Sequence, residues 1–555
     1  VDEGKNADSC KDFVKKAEEL KNDRATWDSH MADIAEVIRP LRTELRGNTN
    51  SEGTKRMSKV FDGSGIKGLQ NLGAGLYGLA SNPADQWGGL GTLDEDRNRF
   101  GPNRAWLDRT SKQVLGSFGP NFGDFYAQCL AFYLDGAGFG TAIFTTEVRA
   151  DHSGFIDRCR ALSTSYIDTD GEGTVDTLYR RWMMTPAQAA TMFTAQALSE
   201  KTQADLKAGK CDKREFLQYI GPNSSYVQDR IGPSGKPVAS VSMEIDTCHE
   251  IKVGGFLDLP FQCFRWGVAE GERYGRECPG ELSLPDVKSS NVMTKANLEA
   301  GERAARPSLG AYSEQTTPII RDHPGKVTYG ALDRAGNQLV KPLYEMGSPP
   351  FSVEMAEALR SAIKEYFYFS LLPVMNRTGL APIETLERQE ATLRMMAPYL
   401  GRINGDFLIP AFMLRYRRLL RVTDASGQPI ISPPPPDLAG HTLQVNVVSP
   451  MAQAQKSARA AGVLRFEQSI APILARDPTA SARINSDKEM QIVAEGYNVD
   501  GILNDDDTTD AARQQQQRMI AAQQGATIAK DATAAAQSGA TAIQTMRGPQ
   551  PKQAA

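Results

Sequence analysis

The sequence predicts a mixed α+β protein made of several modules, and three observations carry that prediction. Helix patterns mostly precede strand patterns through the first 280 residues, without a regular βαβ repeat. From Pro285 the character changes to helical stretches placed around a segment dense in turn residues. The chain is 555 residues long, 40% hydrophobic and 23% charged, which suffices for a large core and more than one module.

Phe13, Ala17, Leu20, Trp27, Met31, Ile34 and Ile38 recur at three-, four- and seven-residue steps, so 11–39 reads as one amphipathic helix stopped by Pro40. After a polar connector at 45–55, a glycine-rich helix is expected at 65–80, with Ile66, Leu69, Leu72, Leu76 and Leu79 on one side. Helices are expected again at 103–116 and 121–135. The run 138–148, Tyr166–Ile167, 174–182 and 237–251 read as strands, the last with Ala239, Val241, Met243 and Ile245 in alternation. Thr185 and Pro186 mark the cap and first turn of a helix over 186–197. Beyond Pro285, residues 286–302 are polar and helix-compatible. Residues 303–350 hold Pro307, Pro318, Pro324, Pro342, Pro349 and Pro350, with short strand candidates at 317–320 and 326–329. Met355, Leu359, Ile363, Phe367 and Leu371 fall at four-residue steps along a helix at 352–372. Helical stretches follow at 382–421 and 451–472, an extended piece at 441–448, and a proline run at 433–436. The tail from 510 is rich in Ala, Gln and Thr, suited to helix or to disorder.

The first residues lack the pattern of a secretory signal, and no apolar run reaches 18 residues, so no membrane span is expected. Seven cysteines without C-x-x-C spacing read as free thiols of a reducing compartment. A formal net charge of −4 argues against a protein that coats nucleic acid, yet is compatible with one that lets DNA slide past. There is no G-x-x-x-x-G-K-[ST] phosphate loop, no H-E-x-x-H and no G-x-S-x-G. Asp168-Thr169-Asp170-Gly171-Glu172-Gly173 opens like a calcium loop, but Tyr179 stands where the bidentate glutamate belongs, which makes it a turn between strands. His249 beside Cys248 reads as structural. The acids Glu384, Glu387 and Glu390 read as a salt-bridged helix face, and Asp505–Asp507 with Asp510 as a solvated turn. Neither an active site nor a metal or cofactor site is expected.

Two stretches are more specific. The first is Phe264-Arg265-Trp266, then Gly271-Glu272-Arg273-Tyr274-Gly275-Arg276, then Leu284-Pro285-Asp286-Val287-Lys288. The second is Ala381-Pro382-Ile383-Glu384-Thr385-Leu386-Glu387-Arg388, continuing through Leu400-Gly401-Arg402 to Pro410. In this order and separation they resemble the portal, or head-to-tail connecting, proteins of short-tailed bacteriophages over about residues 10–500. The matched residues include Gly271, Glu272, Tyr274, Gly275, Pro285, Asp286, Glu384 and Arg388. Ala381–Glu384 and Arg276–Pro279 depart from the family's usual form.

The resemblance implies a ring of twelve subunits around a DNA channel, closed by a head-to-tail interface. It implies a wing at 1–283, a first stem helix at 284–302, a clip at 303–350, a second stem helix at 351–372 and a channel loop at 373–381. A C-terminal wing and crown at 382–500 would follow, then an Ala/Gln-rich barrel or disordered tail at 501–555. Met355, Leu359, Ile363, Phe367 and Leu371 would pack stem on stem. Lys288, Lys295, Asn376 and Arg377 become candidates to face double-stranded DNA, which passes without base readout. Arg306, Arg321, Lys326 and Lys341 become clip candidates for docking the large terminase ATPase and later tail adaptor proteins. Capsid and scaffold proteins complete the expected partners. The expected place is the unique capsid vertex of the virion, after synthesis in the host bacterial cytoplasm. The competing readings are another virion structural protein, such as a tail adaptor or internal core protein, a generic scaffold, or a hydrolase or nuclease using the acids above.

Overall fold

The computed structural model describes residues 3–46, 55–94, 97–98, 101–149, 153–306, 308–311, 327, 331–333, 335–343, 353–369, 395–422, 429–447, 450–476, 484–497, 509, 513–516 and 518–519. The chain divides into two units, one of residues 1–90, 110–432 and 445–450, the other of 91–109, 433–444 and 451–555.

The helix expected over 11–39 is two helices, α1 (Glu3–Asp23) and α2 (Ala25–Val37), meeting at Arg24. The Arg24 guanidinium is buried, donates to the carbonyls of Leu162 and Ser165 at 2.6 Å each, and lies 4.1 Å from the Tyr166 ring. The break serves a tertiary contact that apolar spacing does not encode. α3 (Ser64–Ala80), β1 (Gly88–Gly91), α4 (Gly101–Gly116) and α5 (Phe125–Phe139) follow. The strand expected from residue 138 starts later, because α5 runs on to Phe139 and ends at Gly140 with φ 77°.

β2 (Thr141–Val148) pairs with β3 (Phe155–Arg160), and β4 (Ser165–Thr169) with β5 (Val175–Met184). The acidic run at 168–173 is the turn joining β4 to β5, with Asp170 Oδ1 accepting from the amides of Glu172 at 3.0 Å and Thr174 at 2.8 Å. α6 (Pro186–Phe193) opens on a capping box between Thr185 and Gln188, stops four residues short of its expected end, and is followed by α7 (Glu200–Lys207). β6 (Arg214–Pro222), unexpected from the sequence, precedes β7 (Val238–Glu244) and β8 (His249–Phe256). β9 (Phe261–Arg265), also unexpected, closes this part. The strand orders are 3-2-9 and 4-5-6-7-8, each antiparallel throughout.

α1 lies over the five-stranded sheet, where Cys10, Ala17 and Leu20 join Tyr166, Tyr179, Leu217, Val241 and Met243 in one buried cluster. An aromatic core fills the rest of this unit. Phe132 and Phe407 stack at 4.1 Å, Phe118 and Phe125 lie 4.4 Å apart, and Trp87 meets Phe412 edge-on at 5.8 Å. Asp157 and Arg415 form a fully buried ion pair beside it, and the Arg415 guanidinium sits 3.6 Å from the Phe155 ring.

α8 (Pro279–Ala305) starts earlier than the expected 284, because Cys278 caps it and Pro279 takes its first position. Pro285 lies inside the helix on its exposed side. β10 (Leu309–Ala311) and β11 (Val340–Pro342) pair antiparallel, with Leu309 opposite Pro342. α9 (Val353–Tyr366) ends in a turn in which Tyr368 has φ 53°, so the helix expected to run to 372 stops at Tyr366. Residues 395–403 are helical and pass through the π turn Asn404–Leu408 into α10 (Ile409–Leu419). β12 (Gln444–Val447) pairs with β1. In the second unit, α11 (Pro450–Arg476) and α12 (Ser486–Tyr497) are the long elements, and Arg513 pairs with Asp487 at 2.5 Å.

Candidate channel stem and docking surfaces

α8 and α9 pack on each other and both reach α3. One carboxylate, Asp62, fastens all three. Its Oδ1 accepts from the Ser64 amide at 2.8 Å and hydroxyl at 2.5 Å, at the start of α3. Its Oδ2 accepts from Ser290 Oγ of α8 at 2.7 Å and from Arg360 Nε of α9 at 2.9 Å. Asn291 adds a second clasp: its Oδ1 accepts from the amides of Phe61 and Asp62 at 2.6 and 3.1 Å, and its Nδ2 donates to the Lys59 carbonyl at 2.9 Å. Burial of Asp62 opposes its charge, but the hydrogen bonds from Ser64, Ser290 and Arg360 outweigh it and hold the carboxyl well below its ordinary range. Beside this knot lies a cavity of about 510 Å³ whose lining includes Ser64, Lys67, Asn71, Arg360, Lys364 and Phe369. Sequence reasoning missed Asp62 and Arg360. No local pattern pointed to either: the N-cap position of α3 is Gly63, and Asp62 and Arg360 meet only in the fold.

The motif at 271–276 ties the root of α8 to the body. Gly271 has φ 81°, a conformation open to glycine. Glu272 pairs with Arg276 at 2.7 Å, and the Arg276 guanidinium lies 4.1 Å from the Trp27 ring. The Tyr274 hydroxyl accepts from the Ile167 amide at 3.4 Å, and the ring, buried, sits 5.9 Å from Trp27. Gly275 donates its amide to Thr141 Oγ1 at 2.8 Å, and a Cβ there would stand 2.0 Å from the Gly140 carbonyl oxygen. Only a residue without a side chain lets these two backbones meet.

The structure distributes the other candidate residues. Lys288 pairs with Asp33 at 2.7 Å and Lys295 with Glu299 at 3.8 Å, both within the chain. Asp286 is half-buried on α8. Ile363 and Phe367 are buried, Leu359 is half-buried, and Met355 is 51% exposed. Arg306 is exposed at the C-cap of α8, and Lys341 is exposed on β11 opposite Gly310. Leu371, Asn376, Arg377, Glu384, Arg388, Arg321 and Lys326 lie outside the described residues, as do Glu387, Glu390 and the acids at 505–507 and 510. Among the described residues no group of three or more His, Cys, Asp or Glu is placed to hold a metal, and His249 Nε2 meets the Ala197 carbonyl oxygen at 3.1 Å. No helix among them is long and apolar enough to cross a membrane.

These contacts clamp a helix pair at its root and lock it to a mixed α+β body. Residues 11–503 match the model of the bacteriophage head to tail connecting protein family, and the chain belongs to it. It is a portal-type virion protein of the channel at the capsid vertex and serves genome packaging and ejection. It is 25% identical over 492 residues to the portal protein of Salmonella phage epsilon15, covering 87% of this chain and 86% of that one. The figures are the same for the probable portal protein of Bordetella phage BPP-1. Among solved structures it is similar to a chain in the virion of a native gene transfer agent particle, with TM-score 0.34, 12% identity and coverage of 82% of this chain and 98% of that one. A chain in the neck of an empty gene transfer agent particle gives TM-score 0.36, 10% identity, 78% and 90%.

Proposed function

We propose that about twelve copies of this chain close head to tail into a ring whose axial hole passes double-stranded DNA. α8 and α9 form the stem, residues 303–350 the clip, 373–381 the loop that narrows the channel, and 1–283 with 382–500 the wing and crown. The observation that supports this reading best is the clamped helix pair around an insertion whose feet, β10 and β11, are zipped to each other. A clamped pair transmits load between the insertion and the body, as a conduit between a motor and a capsid requires. The clip, with Arg306, Arg321, Lys326 and Lys341, docks the large terminase ATPase during packaging and tail adaptors afterwards; capsid and scaffold proteins meet the wing. Lys288, Lys295, Asn376 and Arg377 are proposed to face the duplex, and the ion pairs of Lys288 and Lys295 leave them partly neutralised, which suits sliding better than holding. The test is native mass spectrometry of the purified chain with single-particle imaging. A closed ring of about twelve copies with an axial hole is expected; a monomer or dimer under assembly conditions overturns the proposal.

A further inference from the structure

Seven cysteines are free, and two of them share one buried cluster from positions far apart in sequence. Cys10, on α1, is fully buried in the cluster between that helix and the five-stranded sheet, and Cys248, in the β7–β8 turn, packs against the same cluster from its half-buried edge. Cys10 Sγ donates to Met243 Sδ at 3.4 Å, and Cys248 packs on the same cluster, near enough that its thiol opposes ionisation of Cys10. Cys248 ends a tight turn, its amide donating to the Ile245 carbonyl at 3.3 Å, with φ 46°. The remaining five thiols are placed elsewhere: Cys129 and Cys278 are buried, Cys159 touches Asp135 and Arg42, Cys263 is half-buried on β9, and Cys211 is exposed.

We propose that Cys10 and Cys248 form a reversible disulfide that staples α1 to the β7–β8 turn once the virion leaves the thiol-rich cell. The oxidant is a low-molecular-weight disulfide. Cys248, the accessible partner, attacks as the thiolate; the oxidant's S–S bond breaks, and its first thiolate leaves and takes up the proton Cys248 has lost. Cys10 then gives up its proton and attacks the Cys248 sulfur of the mixed disulfide, expelling the second thiolate, which takes that proton. Two protein thiols are oxidised by two electrons and the oxidant is reduced to two thiols. Burial, and after it the Cys248 thiol, pushes the Cys10 thiol up to about 12, so the second step is the slow one and quickens as pH rises. α1 is the first helix of the described chain, and the staple ties it to a sheet that is remote in sequence. The consequence is a body that frays less after release than during assembly.

The experiment incubates the folded full-length protein with oxidised glutathione, quenches in acid, unfolds, alkylates the free thiols and maps peptides by mass. The expected result is a linked Cys10–Cys248 peptide that disappears on treatment with dithiothreitol. In Cys10→Ser the glutathione adduct should stay trapped on Cys248, and in Cys248→Ser Cys10 should be recovered fully alkylated. Absence of the linked peptide while exposed Cys211 carries glutathione overturns the proposal, because the oxidant has then acted without joining the pair. Glutathione on Cys10 in Cys248→Ser, at the wild-type rate of pair oxidation, overturns the assigned order of attack and with it the role of Cys248 as the entry thiol.

Discussion

Asp62 shows how much one buried carboxylate can organise when the hydrogen bonds it accepts come from three different helices. Its folded-state pKa lies below its ordinary value of 3.8, so its contribution to stability is whole above that value and is lost as pH falls through the folded value. Asp62→Asn should therefore cost about 1–3 kcal/mol near neutral pH, and the gap to the wild type should shrink below about pH 4. Urea unfolding midpoints of the two proteins across that range check this. Gly275→Ala puts a Cβ 2.0 Å from the Gly140 carbonyl oxygen, where neither backbone can yield, so a loss of roughly 3 kcal/mol or more, or failure to fold, is expected. Gly301→Ala, in α8 with open space around it, should instead gain about 0.5–1 kcal/mol, which thermal unfolding would show. That Ser290 and Arg360 would converge on the same carboxylate was not readable in the chain, because they come from elements far apart in sequence.

At the scale of the element, α9 is the informative case. The four-residue spacing of Met355, Leu359 and Ile363 puts these three on one face of α9, Phe367 follows in the turn just past the helix, and Leu371 lies outside the described residues. Burial then grades along that face, from an exposed Met355 to a fully buried Phe367 whose ring fills the space that Gly68 of α3 leaves open. Phe367→Ala should cost about 3–5 kcal/mol of the chain's own stability. Met355→Ala should cost less than about 1 kcal/mol in the unassembled chain, with any larger effect confined to the ring. Chemical denaturation of the two variants, before and after assembly, separates the contributions. Periodicity finds a face; it does not say which end of the face the body covers. The same limit made one helix of α1 and α2 and left β6 and β9 unseen, since β9 pairs with β2 and β6 with its neighbours only once the sheets form.

For the whole molecule, the β10–β11 ladder should let the insertion be removed without opening the helix pair. On the proposed assembly, replacing residues 312–339 by a short glycine linker is expected to preserve ring mass by native mass spectrometry and to abolish capture of the proposed ATPase and adaptor partners in pull-down. The sequence by itself determined the mixed α+β class and the family, through the motifs at 264–288 and 381–410. These are properties of composition, period and local spacing, which a linear chain displays in full. The tertiary structure alone decided that the 271–276 motif is a joint between α8 and the body, that Asp62 is the clasp of three helices, and that Lys288 and Lys295 already hold carboxylates within the chain. Each of those depends on which distant groups share a few ångströms, and hydrogen bonds and ion pairs depend steeply on that distance while leaving no trace in sequence order.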